Sequence, residues 1–302
     1  MPAPGAPGSF PQQTVPSKTQ VTRRLGGWVL AAPPILFTLL FFIAPLALLV
    51  IYSFGQMDIL TFQISFGWTL ENWRTVFTGV YGSALLRSVA LTVIATALCV
   101  LIGFPAALGL SRMPARAQNF LLLAVIVPYW VSFVVRNYAW LVLLGPDGAV
   151  TKILAALQLT GDGRDLRYTN TAILIGMVSS YLPLMILPIY VALERIDPSI
   201  IDAAADLGLH GVHAFRRVVL PLSAPGLIAG ILLVGVPATG EYTIPAILGG
   251  GKTLMVGNVI RDKFLGVGDF PLGAALAATL MALLIVVLVA SRRRIRQLED
   301  VL

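Results

Sequence analysis

The sequence predicts an all-α membrane protein of six transmembrane helices, on three observations. Of 302 residues, 57% are hydrophobic and 12% charged, too apolar a balance for a soluble globule. Six stretches stay apolar for about 20 residues or more, the length a helix needs to cross a hydrocarbon core roughly 30 Å thick. The stretches are continuous rather than alternating, which favours helices over the strands of a barrel, since every backbone group in lipid must find its partner within the protein.

Residues 1–20 are rich in Pro, Gly, Ser and Gln and lack an apolar run, so a disordered cytoplasmic tail is expected there rather than a signal peptide. The membrane domain, 21–302, follows, with spans at 28–54, 83–110, 120–144, 171–193, 222–248 and 272–290. Positively charged loops are retained on the cytoplasmic side. With both termini inside, the cytoplasmic segments hold Lys18, Arg23, Arg24, Arg112, Arg116, Arg195, Arg216, Arg217, Arg292, Arg293, Arg294 and Arg296. The opposite side holds Arg74, Lys152, Arg164, Arg167, Lys252, Arg261 and Lys263, so the balance favours N-in, C-in. The net charge of +7 then lies mostly inside and reads as topology, not as a nucleic-acid surface. Cys99 is the only cysteine, which excludes a disulfide within the chain.

Between the spans, Val150, Ile153, Leu154 and Leu157 recur at helical spacing, as do Val256, Val259, Ile260 and Phe264, and both sets predict short helices lying at the interface. Phe62, Phe66, Trp68 and Trp73 fill the first external loop, as headgroup anchors or as a surface for an extracellular partner. No repeat relates the first three spans to the last three, which points to half of a pore completed by another subunit.

The segment 194–221 is the longest cytoplasmic connection. Asp197 or Ser199 caps a helix with Pro198 in its first turn, Ala203, Ala204, Ala205 and Leu207 continue it, and Gly208 and Gly211 permit a corner. A second short helix carries Phe215 and Val218 beside Arg216 and Arg217, an aromatic–arginine composition typical of interface hot spots. An acidic residue, two alanines, three residues, a glycine, nine residues and an aliphatic-x-Leu-Pro ending are filled by Asp202, Ala203, Ala204, Gly208, Val218, Leu220 and Pro221. This pattern resembles the EAA loop of ABC importer permeases, with Asp202 where Glu is usual. The stretches VPYWVSFVVRNYAW at 127–140, LPLMILPIY at 182–190 and PATGEY at 237–242 are similar to the spermidine/putrescine permeases of that family.

The resemblance implies the type I importer permease fold, also called MetI-like, in a bacterial cytoplasmic membrane. It implies a second permease subunit, two ATPase subunits that dock on the loop and use ATP and Mg, and a solute-binding protein outside. The carried solute would be a polyamine or similar small amine. The chain itself would then bind no cofactor and do no chemistry.

Glu241 is the only acid deep inside a span, where a carboxylate costs several kcal/mol unless it meets water, protein or a cation. Pro237, Gly240 and Pro245 interrupt its helix, and broken helices near the midplane are where transporters place binding groups. Tyr242 and Thr243 stand beside it, and Tyr129, Trp130, Tyr138 and Trp140 offer aromatic faces to an ammonium group. Arg136 leaves two roles open: Glu241 contacts substrate or gates the path, or it forms a packing ion pair with Arg136, which otherwise snorkels to the outer interface. An ion- or proton-coupled secondary carrier using Glu241 is the alternative, and it leaves the loop at 194–221 without a purpose.

Other motifs fail on inspection. The run Gly249-Gly250-Gly251-Lys252-Thr253 lacks the first glycine of a phosphate loop, because Ala246 stands there. His210 and His213 have no further metal ligands nearby, and no Ser, His and acid set converges. Gly226 and Gly230 form a GxxxG that predicts a close helix contact.

Overall fold

A computed structural model describes residues 32–58, 61, 63–158 and 165–299, with side chains to Arg292. The expected tail at 1–20, the start of the first span, Phe62 and Arg164 lie outside the described residues. The chain divides into two compact units, Met1–Leu48 and Leu49–Leu302.

In the first unit the described residues are helical from Ala32, the start of α1 (Ala32–Tyr52), and one turn at Leu39–Ile43 widens to π geometry. Pro33 and Pro34 fall in the opening turn, where a missing N–H costs no helical bond. The hydroxyl of Thr38 donates back to the Pro34 carbonyl at 2.8 Å, so this polar side chain is satisfied within its own helix.

In the second unit the two-residue strands Gln56–Met57 and Ile64–Ser65 pair antiparallel, a small departure from the all-α expectation. There follow α2 (Glu71–Val76), α3 (Gly79–Ser111), α4 (Ala115–Ile126), α5 (Phe133–Leu143), α6 (Ala149–Ala156), α7 (Asn170–Glu194), α8 (Pro198–Asp206), α9 (Val212–Thr239), α10 (Thr243–Leu248), α11 (Val256–Arg261) and α12 (Phe270–Glu299). Five helices, α1, α3, α7, α9 and α12, are long and apolar enough to cross a membrane, and α4 with α5 brings the number to six if the bent pair is one span.

That pair corrects the expectation of a continuous third span at 120–144. The chain turns by 95° between Trp130 and Phe133. Pro128 supplies no amide and its ring opposes the carbonyl four residues back, so α4 tightens into a 3-10 turn at Val127–Trp130 and stops. Val131 and Ser132 are extended, and α5 starts in a new direction. The flanking residues are mostly apolar, so hydropathy does not register the corner.

The centre of the second unit is α7, packed against α3 and α9. Small residues set the approach: a Cβ on Gly226 would lie 2.4 Å from the Ala192 Cβ and 2.5 Å from the Pro188 carbonyl, and one on Gly230 would lie 2.8 Å from the Met185 sulfur. Gly103 of α3 meets Met185 from the other side. Met177, Met185, Ile189 and Val234 are fully enclosed in this seam. A second apolar cluster, with Val76, Ala84, Val256, Leu272 and Leu276, ties α2, the start of α3, α11 and α12 together.

The two short helices predicted to lie at the interface behave differently. In α6, Ile153 is exposed while Val150 and Leu154 pack on the main core, as an amphipathic surface helix does. In α11, Val256, Gly257, Asn258 and Val259 are all buried, so α11 is a wedge inside the unit, which corrects the interfacial reading. Its polar residues make buried contacts described below, so polarity there did not signal exposure.

Candidate functional site

Two places collect the residues singled out in the sequence. The first is an elbow between α7 and α9. Asp197 caps α8 by accepting the Ser199 amide at 2.9 Å, and this backbone hydrogen bond holds its carboxyl below the usual range. At the other end Gly208 donates to the Ala205 carbonyl and Leu209 to the Ala204 carbonyl, each at 2.9 Å, closing the helix around a left-handed glycine. Gly208 has φ +83 and Gly211 φ +56, and a Cβ on either would meet nothing within 4 Å. The two glycines are therefore needed for backbone conformation, not for space.

No separate short helix follows the corner. Helix α9 begins at Val212, passes through a π turn at Phe215–Val219 and continues to Thr239, so the elbow is rigidly continuous with a membrane span. Ala204 is buried under the turn, while Asp202, Ala203, Gly208, Arg216 and Arg217 are exposed and Val218, Leu220 and Pro221 half-buried. Phe215, expected among the interface residues, stacks edge-on against Phe104 of α3 at 5.5 Å and anchors the elbow to the helix unit. The most exposed apolar groups of the elbow are Leu207 (84% exposed) and Val212 (68% exposed), which the motif does not single out. Their signal in the sequence was a large apolar side chain directly beside each corner glycine.

The second place is the break after α9. Gly240, Glu241 and Tyr242 are non-helical, and Glu241 is buried at 8% exposure. Its Oε1 accepts the Thr243 amide at 2.8 Å and the Ile244 amide at 3.3 Å, capping α10, and its Oε2 accepts the Tyr181 hydroxyl of α7 at 2.5 Å. An ionised carboxylate has about four lone-pair sites, so three donors leave about one for a further partner. Asn258 of α11 clamps the same break, donating to the Tyr242 carbonyl at 2.8 Å and accepting the Met255 amide at 3.4 Å. Gly257 lies so close that a Cβ there would sit 2.4 Å from the Gly240 carbonyl and 2.8 Å from that of Glu241. Ser88 of α3 accepts the Val256 amide at 2.7 Å and fixes the wedge.

Arg136 does not pair with Glu241. It donates to the Pro128 carbonyl at 3.0 Å across the α4–α5 corner and lies over the rings of Tyr129 at 5.0 Å and Phe133 at 5.7 Å. Tyr129 donates through its hydroxyl to the Ser180 carbonyl, next to Tyr181. A chain of contacts therefore runs from Arg136 through Tyr129 and Ser180–Tyr181 to Glu241, joining α5, the corner, α7 and the break. Trp130 (82% exposed), Tyr138 (54%) and Tyr242 (49%) point away from the enclosed part of this chain, and Trp140 packs partly buried on the core. Missed in the sequence were Tyr181, Ser180, Asn137 and Asn258. The Ser180 hydroxyl and the Asn137 Oδ1 are buried without a hydrogen-bond partner among the described residues. Among those residues no group of three or more metal-ligating side chains assembles.

The chain is 38% identical to the spermidine/putrescine transport system permease protein PotB of Haemophilus influenzae over 253 residues, 82% of this chain and 88% of that protein. It is 35% identical to PotB of Escherichia coli, covering 80% and 87%, and 29% identical to the inner membrane ABC transporter permease protein YdcU of Escherichia coli, covering 87% of each. In fold it matches a chain of a bacterial ABC transporter involved in the import of the acidic polysaccharide alginate, with a TM-score of 0.70 at 16% identity over 92% of this chain and 97% of that one. Residues 99–297, which hold α4 to α11, the elbow and the break, match the binding-protein-dependent transport system inner membrane component, and the chain belongs to that family.

Proposed function

We propose that this permease carries polyamines, putrescine or spermidine, through the membrane in an importer driven by a separate ATPase. The reading rests on the elbow: a corner closed by its own hydrogen bonds, bearing exposed Leu207 and Val212, inserted between two spans that pack on each other. A docked partner that moves the elbow moves the ends of α7 and α9 together. From Val212 to Thr239, α9 runs about 40 Å at 1.5 Å per residue. At its far end, Glu241 is bonded to Tyr181 of α7, so displacement at one end of the pair reaches the break at the other. The elbow lies in the cytoplasm with both termini, where two copies of the ATPase hold ATP and Mg, and the chain binds no cofactor itself.

The amine reading is supported by the names of the polyamine relatives and by Glu241, an acidic side chain buried at the break. Arg136 does not pair with it, because its own contacts are to Pro128, Tyr129 and Phe133. The unpaired Ser180 hydroxyl and Asn137 carbonyl oxygen supply further acceptors along α7 and α5. A second permease subunit completes the path and an external solute-binding protein delivers the amine.

The test is uptake of radiolabelled putrescine and spermidine into vesicles carrying the chain with its cognate permease, ATPase and binding protein. Uptake is expected only with ATP inside and binding protein outside. Uptake that persists without the ATPase and follows a proton gradient would replace this reading with the secondary carrier.

A further inference from the structure

At the elbow end of α7 and α9 a groove of about 640 Å3 runs over the seam where the two helices meet. Within it Gly226 is pressed against Ala192 and the Pro188 carbonyl, so the furrow lies over a close contact of small residues, and Ile200 of α8 joins its lining. Eleven of its twelve lining residues are apolar, and the twelfth is Arg195, the residue just beyond the end of α7. Arg195 is exposed and makes no hydrogen bond or ion pair among the described residues. The neighbouring acids do not answer it: Asp197 is engaged by the Ser199 amide, and neither Asp197 nor Glu194 forms an ion pair with Arg195.

An apolar furrow along two spans that ends in one unpaired guanidinium matches a molecule with a hydrocarbon tail and an anionic head. We propose that the groove binds an anionic phospholipid, its phosphate on Arg195 and one acyl chain along the seam of α7 and α9. A guanidinium takes phosphate oxygens through two parallel N–H donors, and basic groups between spans near the headgroup level select anionic lipid over zwitterionic. The acyl chain has methylenes to place against Val191 and Ala229, where a free phosphate ion has none. Because Ile200 belongs to the first helix of the elbow, the bound chain supports the elbow from the membrane side.

The test is native mass spectrometry of the full chain, delipidated in detergent and titrated in parallel with dioleoylphosphatidylglycerol and dioleoylphosphatidylethanolamine. The expected result is at least threefold higher occupancy by the anionic dioleoylphosphatidylglycerol, reduced to parity in Arg195→Gln. Ala229→Phe, which fills the groove, is expected to lower occupancy by both lipids. Equal binding of the two lipids by the unaltered chain overturns the proposal, as does a preference that survives Arg195→Gln. Lipid exclusion by self-association of the chain over this face also overturns it, in favour of a protein occupant. Should Ala229→Phe fail to fold, the surface change Arg195→Gln decides alone.

Discussion

The elbow at 197–221 and the break at 240–258 are both corners between helices, but they are closed by opposite means. At the elbow the closing bonds span two to five residues: Asp197 to Ser199, Gly208 to Ala205, Leu209 to Ala204. At the break the local cap of Glu241 on Thr243 and Ile244 is joined by bonds from far along the chain, Tyr181 from α7 and Asn258 from α11, with Gly257 pressed against the backbone. The elbow is exposed and free to be gripped, whereas the break is buried and already gripped by its own protein. The difference separates a part that receives force from a part that a moving helix can open.

The sharpest way to break the comparison is to disturb one corner and read both functions. Gly208→Val places a β-branched side chain at φ +83, where strain of about 1–3 kcal/mol is expected although nothing obstructs the side chain. ATPase recovered with the purified chain should fall roughly ten- to a hundredfold, and transport with it, while the helix unit stays folded by circular dichroism. Full ATPase recovery would mean that the elbow is not what the ATPase reads.

At the break the reverse is expected. Gly257→Ala drives a methyl group to 2.4 Å from the Gly240 carbonyl, so the backbone that carries Glu241 must move. Overpacking of this kind costs about 1–3 kcal/mol. Uptake should drop about tenfold or more with ATPase recovery within about twofold of the unaltered chain. Equal loss of both would show that the two corners are one cooperative unit.

A finer cut separates charge from position at Glu241. A hydrogen bond to a charged group contributes about 1.5–3 kcal/mol, so Tyr181→Phe should lower uptake about tenfold if the bond holds the break in its working form. Glu241→Gln keeps an acceptor for the Thr243 amide but removes the charge. If the charge meets the amine, this variant should raise the KM for putrescine, and Tyr181→Phe should mainly lower the maximal rate. In the double variant a coupling near zero would show that the two residues act separately.

These contrasts also explain what could be read from the sequence. The elbow was legible because its glycines, cap and alanines act on their own neighbours, so spacing alone carries the geometry. At the break, Glu241 was visible as a lone acid in an apolar span, but Tyr181 was one tyrosine among several, and only packing of α7 on α9 brings it to the carboxylate. For Arg136 the sequence left an ion pair with Glu241 or snorkelling to the outer interface open, because it shows the charge and not the partner. Its partner is a carbonyl exposed by the corner at Pro128, and that corner is invisible to hydropathy. Asn258 and Gly257 escaped because polar and small residues in a short connecting helix read as surface, when in α11 they are the buried clamp.

The smallest expected effect concerns the acid at the head of the elbow motif. Asp202 is exposed and has no hydrogen bond or ion pair within the described residues, so its carboxylate is available to a docked subunit. Exposed ion pairs contribute about 0–1 kcal/mol because water screens both charges. Asp202→Glu keeps the charge and adds one methylene on a side chain with open space around it, so ATPase recovery should change by less than about twofold. Asp202→Ala should weaken recovery by no more than about fivefold and make it less sensitive to salt, since the screened term is the one removed. A loss in Asp202→Glu as large as in Gly208→Val would reverse the ranking: the elbow would then be read through the placement of one carboxylate, not through the backbone turn that its glycines make possible.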